Sequence, residues 1–251
     1  MNKVYFVGAG PGDPDLITVK GLKLLGEADV VIYAGSLVNP DLLKNTKAKL
    51  YDSSKLDLEE TLAIIKHAVD EDKRVVRLHS GDPSIYGAIS EQIERLKEIG
   101  IEYEIVPGVS SAFAGAAFLG QELTIPEISQ TVIFTRAKGR TPVPEAESLS
   151  SLAKHKATMV IFLSASLAEE VQAQLLEGYP EDTPVAIVER VSWPQQRVFR
   201  CKLIELAHTV KANNIKKTAL IFVGEALRAS LEPTKKRSKL YDKSFSHGYR
   251  S

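Results

Sequence analysis

Short apolar runs alternate along this chain with segments whose apolar positions recur at helical spacing. In the first half, residues 4–7 (Val-Tyr-Phe-Val) read as a buried strand, 16–25 as a helix and 30–33 as a second strand. A helix over 58–69, a strand over 75–78, a helix over 85–99 and a strand over 101–106 follow. Short apolar strands separated by helices predict a parallel sheet covered on both faces. After a linker at 120–127 the alternation resumes. Strands are expected at 131–135, 158–163, 185–189, 196–201 and 219–223, with helices at 147–154, 167–176 and 203–212. The pattern predicts an α/β protein of two consecutive α/β domains, residues 1–119 and 120–228, with a ligand-binding cleft between them. Residues 229–251 form a basic tail carrying Lys235, Lys236, Arg237, Lys239 and Lys243. It is either a solvated terminus or a flap over an acidic substrate.

Composition narrows the function classes. With 44% hydrophobic and 25% charged residues the chain is globular, and 32 basic against 32 acidic residues give no net charge. That balance argues against nucleic acid as a partner, while leaving room for a local basic patch. One cysteine, Cys201, precludes an internal disulfide and fits a reducing cytoplasm. Residues 4–7 are too short for the apolar region of a secretory signal, and no apolar run approaches the ~20 residues needed to span a bilayer. A soluble, cytoplasmic protein with no membrane partner is expected.

The chemistry-bearing residues sit where predicted strands end. Gly8-Ala9-Gly10-Pro11-Gly12-Asp13-Pro14 follows the first strand. Glycine permits close backbone approach, Asp13 suits a cap and Pro14 a helix start. Three features argue against a dinucleotide cradle here. Pro11 removes a donor, Asp13 stands at the third glycine of G-x-G-x-x-G, and the second strand ends in Ala34-Gly35-Ser36 without a ribose-binding carboxylate. No phosphate-binding G-x-x-x-x-G-K-[ST] loop occurs. The same device recurs at His79-Ser80-Gly81-Asp82-Pro83-Ser84-Ile85-Tyr86-Gly87, and a third strand end carries Pro107-Gly108-Val109-Ser110-Ser111. Helix capping and ligand binding both explain these residues.

Taken together, the three turns resemble the motifs of the tetrapyrrole (corrin/porphyrin) methylases, in order and spacing, with weaker matches at 158–163 and 184–189. The resemblance covers residues from about 1 to 228. Within that family, Tyr33-Ala34-Gly35-Ser36-Leu37-Val38 is similar to the branch methylating C-11 of precorrin-4 or cobalt-precorrin-4. It lacks the aspartate typical of uroporphyrinogen methylases in that segment. The tail from Ser238-Lys239-Leu240-Tyr241 to Ser244-Phe245-Ser246-His247-Gly248 is similar to the same branch.

The resemblance implies a dimeric S-adenosyl-L-methionine-dependent methyltransferase of cobalamin biosynthesis, without a metal, acting on a polycarboxylate tetrapyrrole. It places cofactor contacts at Pro11, Gly81, Asp82, Ile85, Tyr86, Ser110, Ser111, Leu163 and Ala186. Leu163, where relatives often carry methionine, and Ala186 would act through their backbones. A substrate rich in carboxylates calls for hydroxyl and basic groups, with Ser36, Asp13, His79 and Arg136 as candidates, and Lys138, Arg140, Arg190 and Arg197 behind them. No general base can be chosen among His79, Asp13 and Asp82. Another methyltransferase of the same fold, a binding protein without catalysis and a nucleotide-binding oxidoreductase remain the alternatives.

Overall fold

The computed structural model describes residues 3–230, 238, 245 and 246. The basic side chains at 235–237, 239 and 243, and most of the tail motif, lie outside the described residues. The chain divides into two compact units: Met1–Ala114 with Ser192–Pro194, and Gly115–Val191 with the residues from Gln195 onward.

In the first unit the strands are β1 (Lys3–Gly8), β2 (Val30–Tyr33), β3 (Lys49–Asp52), β4 (Val75–His79) and β5 (Glu102–Val106). They form one sheet in the order β3-β2-β4-β1-β5, parallel at every pairing. The helices are α1 (Val19–Gly26), α2 (Leu58–Asp70), α3 (Ile89–Glu98) and the start of α4 (Ser111–Phe118). Alternation along each strand sends side chains to opposite faces. Val7, Val31, Val76 and Leu78 pack with Leu25 of α1, whereas Val4, Phe6, Ile32 and Val75 pack with Leu62 and Ile65 of α2 and Leu96 of α3. Both sheet faces are therefore covered, as the continuous apolar runs require. The chain leaves β1 for one face and its neighbour β4 for the other. Such a reversal opens a crevice at the C-terminal strand ends, the usual ligand position in open parallel sheets.

The second unit differs in kind from the first. Its strands are β6 (Val132–Arg136), β7 (Thr158–Phe162), β8 (Pro184–Glu189), β9 (Arg197–Lys202) and β10 (Ala219–Val223), in the order β6-β7-β10-β8-β9. Only β6 and β7 pair in parallel; the other three pairings are antiparallel. Helices α5 (Leu149–Ala153), α6 (Ala168–Leu176) and α7 (Leu206–Ala212) cover one face through Leu149, Val171, Leu175, Leu206 and Val210.

Several expected elements shift. The helix expected over 85–99 starts only at Ile89, because Tyr86 and Ala88 take left-handed backbone conformations that no helix accommodates. The helix expected over 16–25 starts at Val19, capped by Thr18, whose hydroxyl accepts from Gly21 N–H. Asp13 instead caps a short 3-10 turn, Pro14–Leu16, so it does not cap α1. Likewise Asp82 caps no regular helix: α3 has Ala88 at its N-cap and no side-chain cap. Residues 203–212 split into a 3-10 turn, Leu203–Glu205, and α7. Strand β3 is short, at a sheet edge and polar, so it lacks the apolar run that marks a strand. Helix α4 (SAFAGAAF) carries no polar face and escapes the amphipathic pattern for the opposite reason.

Candidate functional site

The three glycine turns meet, backbone against backbone, at the C-terminal ends of β1, β4 and β5. Ala9 N–H donates to His79 O at 2.7 Å, and Gly81 N–H donates to Gly10 O at 2.8 Å. Gly8, Gly81 and Gly108 crowd together. A Cβ on Gly108 would lie 2.1 Å from Gly81 O, and one on Gly8 would lie 2.5 Å from Gly108 Cα. Only residues without side chains allow this approach. Gly10 and Gly81 also have φ of +77° and +63°.

Asp82 locks the junction. Its Oδ1 accepts from Ser84 N–H at 2.8 Å and its Oδ2 from Gly108 N–H at 2.8 Å. The carboxylate therefore joins the second turn to the third through backbone donors. Behind it, Ile85 N–H donates to Asp82 O at 3.2 Å, and Tyr86 stands 45% exposed at φ +55°. Ser110 is buried and its hydroxyl accepts from Ala112 N–H at 3.3 Å, capping α4. A Cβ on Gly81 would stand 3.8 Å from Ser111 N, so the start of α4 adjoins the second turn. The structure thus brings Gly81, Asp82, Ser110 and Ser111 together.

The first turn is held from outside itself. Trp193 Nε1–H donates to Pro11 O at 3.0 Å, Asn39 Nδ2–H to Gly12 O at 2.8 Å, and Asp13 N–H to Ser192 Oγ at 2.9 Å. Pro11 is buried. The side chain of Asp13 accepts from Asp15 N–H at 2.9 Å. Sequence reasoning missed Asn39, Ser192 and Trp193. The sole tryptophan, standing beside Pro194 in a polar connection, was the signal available. Ser36 lies exposed on the turn after β2.

His79 faces the α2–α3 side with Phe6, their ring centroids 5.9 Å apart. It is 4% exposed and its Nε2 has no hydrogen-bond partner. Burial, assisted by the Arg77 charge, lowers its pKa to about 3, so the imidazole is neutral near pH 7. Arg77 is itself buried; Nε–H donates to Gln92 Oε1 at 3.1 Å and Nη1–H to Ile32 O at 3.2 Å. Burial brings its pKa down to about 10.

In the second unit, Leu163 follows β7 with φ +55° and is 71% exposed. A bulky residue in that conformation, open to solvent, marks a constrained turn. Ala186 is fully buried within β8, in register with Phe222 on β10 and Arg200 on β9. Arg136 folds onto its own loop, donating to the carbonyls of Ala137, Thr141 and Pro142. Arg197 pairs with Glu189 at 2.6 Å and lies over the Phe199 ring, while Lys138, Arg140 and Arg190 are exposed. Cys201 is half-buried, and burial raises its thiol pKa.

Comparison with known proteins places these turns in a family. The family model described as Tetrapyrrole (Corrin/Porphyrin) Methylases matches residues 3–207. The cobalt-precorrin-4 C(11)-methyltransferase of Methanocaldococcus jannaschii is 56% identical over 251 residues, covering 99% of this chain and 96% of that protein. A solved structure described as a cobalamin biosynthetic enzyme, cobalt precorrin-4 methyltransferase, is 51% identical with a TM-score of 0.88, over 90% of this chain and 95% of that one. Uroporphyrin-III C-methyl transferase from Thermus thermophilus, solved with S-adenosyl homocysteine, is 30% identical with a TM-score of 0.77, over 91% and 94% of the two chains. The glycine junction, the α/β architecture and a family match spanning both units agree: the chain belongs to the tetrapyrrole (corrin/porphyrin) methylases.

Proposed function

We propose that the chain transfers a methyl group from S-adenosyl-L-methionine to C-11 of precorrin-4 or cobalt-precorrin-4, a step in building the corrin ring of cobalamin. The observation that carries this reading is the junction of Gly81, Asp82 and Ser110-Ser111 at the β1–β4 crevice, in a chain 56% identical to a cobalt-precorrin-4 C(11)-methyltransferase. The residues present fit the cofactor's amino-acid end. The start of α4 presents the positive end of a helix dipole to a carboxylate, and the adjoining Gly81 leaves the approach free of a side chain.

S-adenosylmethionine supplies an electrophilic methyl on a sulfonium. The task left to the protein is to orient donor and acceptor, which contributes several kcal/mol, on the order of 7–11 in well-aligned cases. In this reading the Gly81–Asp82 turn, Ile85, Tyr86 and Ser110-Ser111 hold the donor, with Pro11 and the backbones of Leu163 and Ala186 as further contacts. Ser36, Asp13 and Arg136 face the tetrapyrrole, whereas His79, buried against Phe6, does not reach it. Asp82 acts through the backbone it ties, because both oxygens already accept N–H bonds. The same reading places the enzyme in the cytoplasm as a homodimer.

Titration calorimetry with S-adenosylhomocysteine and with NADH tests the cofactor: the first should bind and the second should not. Incubation with precorrin-4 and cobalt-precorrin-4 should add one methyl mass to one or both, and none to uroporphyrinogen III. Absence of S-adenosylhomocysteine binding would remove the methyltransferase reading.

A further inference from the structure

The Pro11–Asp13 turn has no regular secondary structure, yet three consecutive backbone groups in it are taken by groups distant in the chain. Trp193 Nε1–H holds Pro11 O at 3.0 Å, Asn39 Nδ2–H holds Gly12 O at 2.8 Å, and Ser192 Oγ accepts from Asp13 N–H at 2.9 Å. The indole also lies directly against Gly12: a Cβ there would be 2.2 Å from Trp193 Cδ1 and 2.4 Å from Nε1. Glycine is required at position 12 by the ring that covers it. Trp193 is half-buried. Ser192, which delivers it, has φ +62°, a strained conformation for a serine.

We propose that Trp193, with Ser192 and Asn39, is the positioning device of the Pro11–Asp13 turn, presenting that turn in a single conformation to the methyl donor and the tetrapyrrole. The proposal rests on the methyltransferase reading above. It assigns a role in the reaction to a segment that lies about 180 residues from the turn it holds.

Trp193 is the only tryptophan of the chain, so its fluorescence reports on this turn alone. In the full-length protein, titration with S-adenosylhomocysteine should change Trp193 emission with the same saturation midpoint that calorimetry gives. Trp193→Phe keeps an aromatic ring over Gly12 and loses the N–H. It should weaken S-adenosylhomocysteine binding about five- to tenfold, as expected for one lost hydrogen bond, and raise the donor KM more than it lowers kcat. A merely structural tryptophan would lower Tm and leave the affinity of the folded protein unchanged. Wild-type affinity and KM in the Phe variant, or an unresponsive Trp193 while calorimetry reports binding, would overturn the positioning role and leave the methyltransferase reading standing. A wild-type protein that binds no S-adenosylhomocysteine would overturn both. If the Phe variant fails to fold, Ser192→Ala removes the Asp13 anchor of the same turn and carries the same expectation.

Discussion

Asp82 accepts the N–H of Gly108 across the ends of two strands, at 2.8 Å, and this bond closes the junction of the second and third glycine turns. The same carboxylate accepts from Ser84 N–H. An acidic residue at a strand end invites a catalytic reading, but the geometry assigns this one to holding two turns together. Asp82→Ala leaves the Gly108 and Ser84 donors without their partner. It should cost about 1–3 kcal/mol and lower Tm by several degrees, with weaker S-adenosylhomocysteine binding. Thermal denaturation and calorimetry measure the two effects, and an unchanged Tm would contradict the assignment.

Gly108 and Gly26 should respond in opposite directions to alanine. A Cβ at Gly108 would lie 2.1 Å from a backbone oxygen and 2.7 Å from the Gly8 Cα, neither of which can rotate away. Gly108→Ala should therefore destabilise by about 3 kcal/mol or more, or fail to accumulate folded. At Gly26, the last residue of α1, nothing lies within 4 Å of the added atom. Gly26→Ala should be neutral or stabilise by up to about 1 kcal/mol. Chemical denaturation of the pair gives the comparison.

His79 makes stability depend on pH above the range where carboxylates titrate. Its pKa falls from 6.5 to about 3 in the folded state, chiefly through burial and then through the Arg77 charge. The unfolded chain therefore binds a proton that the folded chain refuses. Stability is complete above about pH 6.5 and declines as the pH falls toward about 3, by up to about 1.4 kcal/mol per unit well inside that window. His79→Leu removes the titrating group and its unpartnered Nε2. Denaturation midpoints between pH 6.5 and 5 should slope for the wild type and flatten for the variant. A slope that persists would assign the acid sensitivity elsewhere.

Leu163 holds a left-handed conformation with most of its side chain in solvent. The conformational cost for a residue with a Cβ is roughly 1–2 kcal/mol, and little burial offsets it. Leu163→Gly relieves that cost at the expense of about 0.5–1 kcal/mol of chain entropy, so Tm should hold or rise slightly. Leu163→Ala keeps the strain and should give no such gain. If the turn contributes to donor binding through its backbone, both variants should retain S-adenosylhomocysteine affinity within about twofold. A large loss in either would assign the contact to the leucine side chain.

The local sequence was enough to place β1, β2, β4 and β5 of the first unit and the three turns that follow β1, β4 and β5. A buried parallel strand must be apolar throughout, and glycine with a following Asp-Pro marks a sharp exit. It also weighed against a dinucleotide cradle, since Pro11 lacks a donor and Asp13 replaces a glycine. Elements without a hydrophobic period escaped it: β3 is polar and at an edge, and α4 is apolar on all sides. The antiparallel pairings of the second unit were also invisible, because strand direction depends on which distant strands pair rather than on the composition of each.

Tertiary structure alone decided what the site residues do. Both Asp13 and Asp82 read as helix caps from their positions, and neither caps a regular α-helix; Asp82 instead spans two turns 26 residues apart. Histidine after a strand reads as a candidate base, yet packing against Phe6 and beside Arg77 leaves His79 neutral and buried. Trp193 has no local pattern that could link it to Pro11. The order and character of the strands follow from short-range periodicity, which every residue reports for itself. The hydrogen bonds from Asp82 to Gly108 and from Trp193 to Pro11 join residues distant in the chain, and such partners exist only once the sheet has brought the strand ends together.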